Sequence, residues 1–146
     1  MTSAQAMTFI NRPGSFGILA TVGPGGESNA ALFASARMPD ERTLVLGLSE
    51  NRSLEYLHGN PRATFLIFEP GDNPLLWRGC RLYLRMRELA DSGPLLASIV
   101  AQVTTEAGSM AAQTLRAAIL FDITAIRPLI DRPRRRRGGH SRQGAP

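Results

Sequence analysis

The sequence has no lysine, one cysteine, one tryptophan and two histidines among its 146 residues, and aromatics make up only 6% of it. The single cysteine, Cys80, excludes an internal disulfide; it suits a small core position and a reducing, cytoplasmic setting. No apolar run approaches the ~20 residues that span a bilayer, so no membrane partner is expected. The opening residues, MTSAQAMTFINRPG, lack the basic start and apolar stretch of a secretory signal.

Further absences bear on chemistry. His58 sits within a helical stretch and His140 in a basic tail. There is no HExxH, no cysteine pair and no clustered His, Asp and Glu, which argues against a metal site. Neither a G-x-S-x-G elbow nor a Cys/His pair offers a nucleophile. A phosphate loop and a G-x-G-x-x-G turn after a strand are both missing. No catalytic side chain stands out, so any chemistry falls to a cofactor that the protein positions.

What is present suits one domain. Hydrophobic residues make up 43% of the chain, enough for a core at this length. The net charge of +5 is unevenly placed. Residues 1–131 carry eleven arginines against twelve acids, whereas residues 132–146 carry six arginines and no acid. The reading is therefore a domain over 1–131 and an Arg-rich tail over 132–146. With no apolar residue able to join a core, the tail is expected to be disordered. It is either a solvated extension or a sequence-independent contact for nucleic acid or acidic lipid.

Within the domain, residues 3–11 read as a helix stopped by Pro13-Gly14. Six strands are expected: 16–22, 28–37, 43–48, 63–68, 77–89 and 117–126. Gly23-Pro24-Gly25-Gly26 and Pro39-Asp40-Glu41 mark turns. Gly47 marks a bulge or a close approach. A helix from Ser92-Gly93-Pro94 to about Glu106 precedes the last strand. Six strands with short turns and late helices do not follow a βαβ alternation. They fit a mainly β antiparallel barrel or sandwich with peripheral helices.

The segment SENRSLEYLHGNP, residues 49–61, carries its own start and stop signals. Ser49 or Asn51 caps it, Leu54 and Leu57 share one face, and Gly59 and Pro61 end it. A helix N-terminus attracts anions through free N–H groups and its dipole, and Arg52 adds a bidentate fork. Plain capping by Asn51 with a solvated Arg52 is the competing reading.

The order of these pieces resembles the pyridoxamine 5′-phosphate oxidase-like family of FMN-binding split β-barrels. The resemblance rests on Ala20-Thr21-Val22-Gly23-Pro24-Gly25-Gly26, Asn29, the strand 43–48, Asn51-Arg52-Ser53, Leu57-His58-Gly59-Asn60-Pro61 and Trp77-Arg78-Gly79-Cys80-Arg81. It spans roughly Phe9 to Ile126. It implies a six-stranded split barrel forming a homodimer with FMN at the subunit interface. By position, Arg52 and Ser53 would hold the phosphate with Asn51 beside them. Asn29, Ala30, Ala31 and Leu32 would lie along the ring, and Leu46, Gly47 and Leu48 would offer backbone to the ring edge or ribityl chain. Ser53 stands where the oxidase has a second basic residue. The basic and aromatic C-terminal residues that hold pyridoxal phosphate are absent. The expectation is an FMN-binding oxidoreductase or electron carrier with an unassigned small-molecule substrate or redox partner. Alternatives are a split barrel for F420 or haem, or an interaction protein acting through its tail.

Overall fold

The computed structural model describes residues 1–133. The expectations for the tail beyond Pro133, His140 included, lie outside the described residues. Seven strands, not six, form one antiparallel sheet: β1 Gly17–Val22, β2 Ser28–Phe33, β3 Arg37–Asp40, β4 Thr43–Ser49, β5 Arg62–Glu69, β6 Arg78–Ala90 and β7 Leu115–Pro128. The helices are α1 Ser3–Ile10, α2 Arg52–Gly59, α3 Pro94–Ala107 and α4 Ser109–Gln113, with a 3-10 turn at Pro74–Leu76.

The extra strand arises where one strand was expected over 28–37. The ladder with β1 ends at Phe33, and Arg37 opens a new pairing with β4. Pro39 lies inside β3 rather than in a turn. The ladder of this edge strand with β4 shifts register between Arg37 and Asp40, and Pro39 sits inside that irregularity, where no regular ladder N–H is needed. The outer side of this edge is covered by Asn11, whose amide both donates to the Met38 carbonyl and accepts from the Met38 N–H, each at 2.9 Å. The cap of α1 thus does the work of a neighbouring strand.

The sheet order is β2-β1-β5-β6-β7-β4-β3. Consecutive strands β2 and β3 therefore lie at opposite edges, joined only by residues 34–36. Four steps of chain reach roughly 14 Å at most, so the sheet must curl until its edges approach. Among the described residues no ladder joins β2 to β3, and the seam is bridged by the linker alone.

Two cores result. The larger fills the curl with Leu19, Leu46, Leu57, Phe65, Leu82 and Phe121, all at most 1% exposed. Each such side chain contributes about 1.5–3 kcal/mol by leaving water. Strand β5 alternates, with Ala63, Phe65 and Ile67 turned inward. Strand β4 is buried on both faces: Leu44, Leu46 and Leu48 point into the large core, while Val45 joins a second, smaller one beneath α3 and α4. Gly47 is the close approach expected there. A Cβ on it would sit 2.5 Å from Ile99 Cγ2, so the absent side chain lets α3 rest on the strand. Gly59 is part of α2 and does not take a positive φ; the helix ends instead on extended Asn60, φ −138°.

Candidate functional site

A cleft of about 520 Å³ opens at the seam of the sheet. One side is edge strand β2 and the linker after it. The floor is the end of β4, one end is the first turn of α2, and the far wall is α3 and α4.

The first turn of α2 decides what this end of the cleft can bind. Asn51 is the N-cap, with extended backbone (φ −145°), and its Oδ1 accepts from Leu54 N–H at 2.9 Å. The Asn51 carbonyl takes Glu55 N–H at 3.1 Å. Capping therefore satisfies Leu54 and leaves the N–H groups of Arg52 and Ser53 without a partner among the described residues. The capping reading and the anion-seat reading are thus compatible, because they use different donors. The Arg52 side chain is exposed and in no ion pair among the described residues. The serine beside it is only 2% exposed, and its hydroxyl accepts from Asn29 Nδ2 at 3.3 Å.

Seven of the ten residues expected at a site line this cleft: Asn29, Ala31, Leu32, Gly47, Asn51, Arg52 and Ser53. The other three do not. Ala30 is exposed on the outward face of β2, which it shares with Leu32, and lies outside the cleft. Leu46 and Leu48 bury their side chains in the large core, which leaves only their backbone groups, the ones expected to serve, for a ligand.

Other lining residues were not foreseen. Ser35 and Ser49 lie on either side of Gly47, and the far wall brings Val103, Ala107, Ala111 and Leu115. Glu106 stands at the rim, paired with Arg37, whose side chain is mostly buried. That pair, with Gln102 Nε2 reaching the Ser35 carbonyl at 3.5 Å, ties α3 to the linker. No sequence signal locates these residues, because α3 and α4 reach the cleft only through the sheet's curl.

Cys80 and His58 lie elsewhere. Cys80 is fully buried in the large core, and desolvation pushes its thiol up to about 11, so it stays protonated and unreactive near neutrality. His58 is exposed on the last turn of α2 and does not line the cleft. Among the described residues no group of three His, Cys, Asp or Glu could hold a metal ion.

No family model matches the sequence, and no curated protein matches it. Solved structures do resemble it. An FMN-binding protein from Syntrophomonas wolfei subsp. wolfei superposes with a TM-score of 0.75 at 19% identity, covering 89% of this chain and 87% of its own. An F420 reductase superposes at 0.64 and 19% identity, covering 82% and 93%. HutZ, the haem storage protein from Vibrio cholerae, superposes at 0.60 and 16% identity, covering 90% and 93%. The fold they share with this chain is that of the pyridoxamine 5′-phosphate oxidase-like split barrels.

Proposed function

We propose that the cleft binds FMN and that the protein is a flavin-dependent oxidoreductase or electron carrier. The observation that carries this is the first turn of α2. Two free backbone N–H groups, the Arg52 guanidinium and the Ser53 hydroxyl converge at one end of a cleft whose far wall is apolar. A phosphate fits the first feature and a flat ring the second. When bound, the flavin supplies the electron or hydride chemistry. The residues of this chain bind its phosphate, shield its ring from water and leave one side of the cleft open.

The same fold serves F420 and haem proteins, and the lining discriminates between them. Among the described residues no His, Cys, Met or Tyr lines the cleft. A haem iron would find no axial ligand of the usual kinds among them. A deazaflavin with a phosphate on its side chain fits the same donors and is the second reading.

A homodimer supports this function best. The outward face of β2, β1 and β5 carries Leu32, Ile18 and Leu66 in one cross-strand row and Ala30, Ala20 and Thr64 in the next. Helices α3 and α4 cover the other end of the sheet, over β4 and β7, and leave this face bare. Leu32, 67% exposed, belongs to both the row and the cleft. A second copy on this face would bury the row and shut the open side of the cleft. Oxidation of pyridoxamine phosphate is not part of the proposal; the substrate or electron partner is a small molecule or protein of unassigned identity.

The test is titration of FMN into cofactor-free protein, followed by quenching of flavin fluorescence. Saturation near one FMN per chain supports the reading. Absence of any saturable quenching removes it.

A further inference from the structure

Each hydroxyl that lines the cleft has its hydrogen-bonding direction set by a neighbour, and the directions differ between the two ends. At the α2 end, Asn51 is held unambiguously, because its Oδ1 faces a backbone N–H that can only donate. Its Nδ2 is therefore the group that faces Ser49 Oγ, at 3.4 Å. Asn29 makes the equivalent contact to Ser53, Nδ2 to Oγ at 3.3 Å. Both serines accept from an asparagine, so the proton of each hydroxyl is free for a ligand. At the far end the direction reverses. Ser35 gives its proton to the Gly47 carbonyl at 3.1 Å, and Thr114 gives its own to the Ala111 carbonyl at 2.7 Å. These two offer only lone pairs, and the carboxylate of Glu106, which also lines the cleft and is paired with Arg37, is likewise an acceptor.

We propose that Asn29 and Asn51 are positioning residues that turn Ser53 and Ser49 into hydrogen-bond donors, and that the cleft selects a ligand with an acceptor-only anionic head and an N–H or O–H donor on its opposite end. The inference rests on the flavin reading for the name of the ligand but not for its polarity. It accounts for a serine where a second cation is expected. Two hydroxyl protons and two backbone N–H groups, with Arg52, make an all-donor seat around a single side-chain charge. Hydrogen bonds to a charged group are stronger than neutral ones, so each donor in this seat counts for more toward an anion than toward a neutral head.

The experiment compares FMN with riboflavin, which lacks the phosphate, on cofactor-free protein. The variants are Ser49→Ala, Ser53→Ala, Asn29→Asp and the double variant Asn29→Asp/Ser53→Ala. Asn29→Asp keeps the shape but can only accept from Ser53, which turns the hydroxyl proton away from the ligand. Ser49→Ala and Ser53→Ala should each weaken FMN by roughly tenfold, the size of one charge-assisted bond, and leave riboflavin within about twofold. Asn29→Asp should weaken FMN by more than Ser53→Ala does, and part of that loss should vanish when Ser53 is already Ala. The remainder is the bare charge of the carboxylate. Equal losses for FMN and riboflavin, or an additive double variant, overturn the positioning role while leaving the flavin reading intact. If wild type binds neither flavin, the flavin reading fails, and inorganic pyrophosphate followed by NMR at the Ser53 amide takes its place. Shifts that saturate in wild type and weaken in both serine variants then support the donor seat, and their absence overturns it.

Discussion

Arg52 sits on the end of a helix whose dipole disfavours it by a few tenths of a kcal/mol, and no carboxylate in the described structure compensates. A bound anion would. Arg52→Ala should therefore weaken FMN by about 1–3 kcal/mol with little effect on folding, as isothermal titration and urea unfolding can separate. An unchanged dissociation constant would remove Arg52 from the site. A second residue is out of balance for a different reason. Thr21 is 1% exposed, and its hydroxyl has no hydrogen-bond partner among the described residues. It does not line the cleft, so no ligand relieves it. Thr21→Val keeps the shape and removes the buried orphan, and should raise the unfolding free energy by about 1–2 kcal/mol. A loss of stability would mean the hydroxyl is satisfied in solution. At this scale the sequence was legible where a residue announces local chemistry. Asn51 could be read from capping rules and Arg52 from the helix dipole, whereas the role of Ser53 came only from the family resemblance. Ser49 was read only as a possible cap, and Ser35 not at all, because their roles depend on neighbours across the seam.

Elements were legible to the extent that their signals are local. Helix α2 begins and ends almost where its residues say, and the hairpin at Gly23–Gly26 turns with Gly26 at φ 85° as the glycines require. The break between β2 and β3 was not legible, because SNAALFASAR reads as one strand and only the competition of two partners, β1 and β4, divides it. Helix α4 was also missed: SMAAQ is five residues, shorter than any periodicity can reveal. Gly47 shows how one residue sets the position of an element. Ala at 47 would meet Ile99 Cγ2 at 2.5 Å and flanking Leu115 at 3.3 Å, so α3 must lift from β4. Gly47→Ala should cost about 1–3 kcal/mol of stability, the usual range for overpacking, and should raise hydrogen exchange in residues 94–113 more than in β5 or β6. Equal exchange throughout would show that α3 does not depend on this contact.

The described residues form a curled sheet with one face bare among them. Its antiparallel, mainly β character was open to inference from six alternating stretches, whereas the seam between β2 and β3 is a property of the closed order and has no sequence signature. The bare face carries the oligomeric prediction. Ala20 is exposed at its middle, between Ala30 and Thr64. Ala20→Glu would place two like charges close together across a two-fold and, on this account, should convert a dimer to a monomer in light scattering without altering the circular dichroism. A monomeric wild type would contradict the dimer directly. No helix among the described residues is long and apolar enough to cross a membrane.

The central claim is that the seam cleft is an FMN site, and the measurement closest to it is the identity of whatever the protein carries when purified. Denaturing the purified chain and analysing the released small molecule by absorbance and mass spectrometry should give FMN, approaching one per chain. Release of haem or a deazaflavin would assign the cleft to another cofactor, and a colourless chain that added FMN does not saturate would contradict the claim outright.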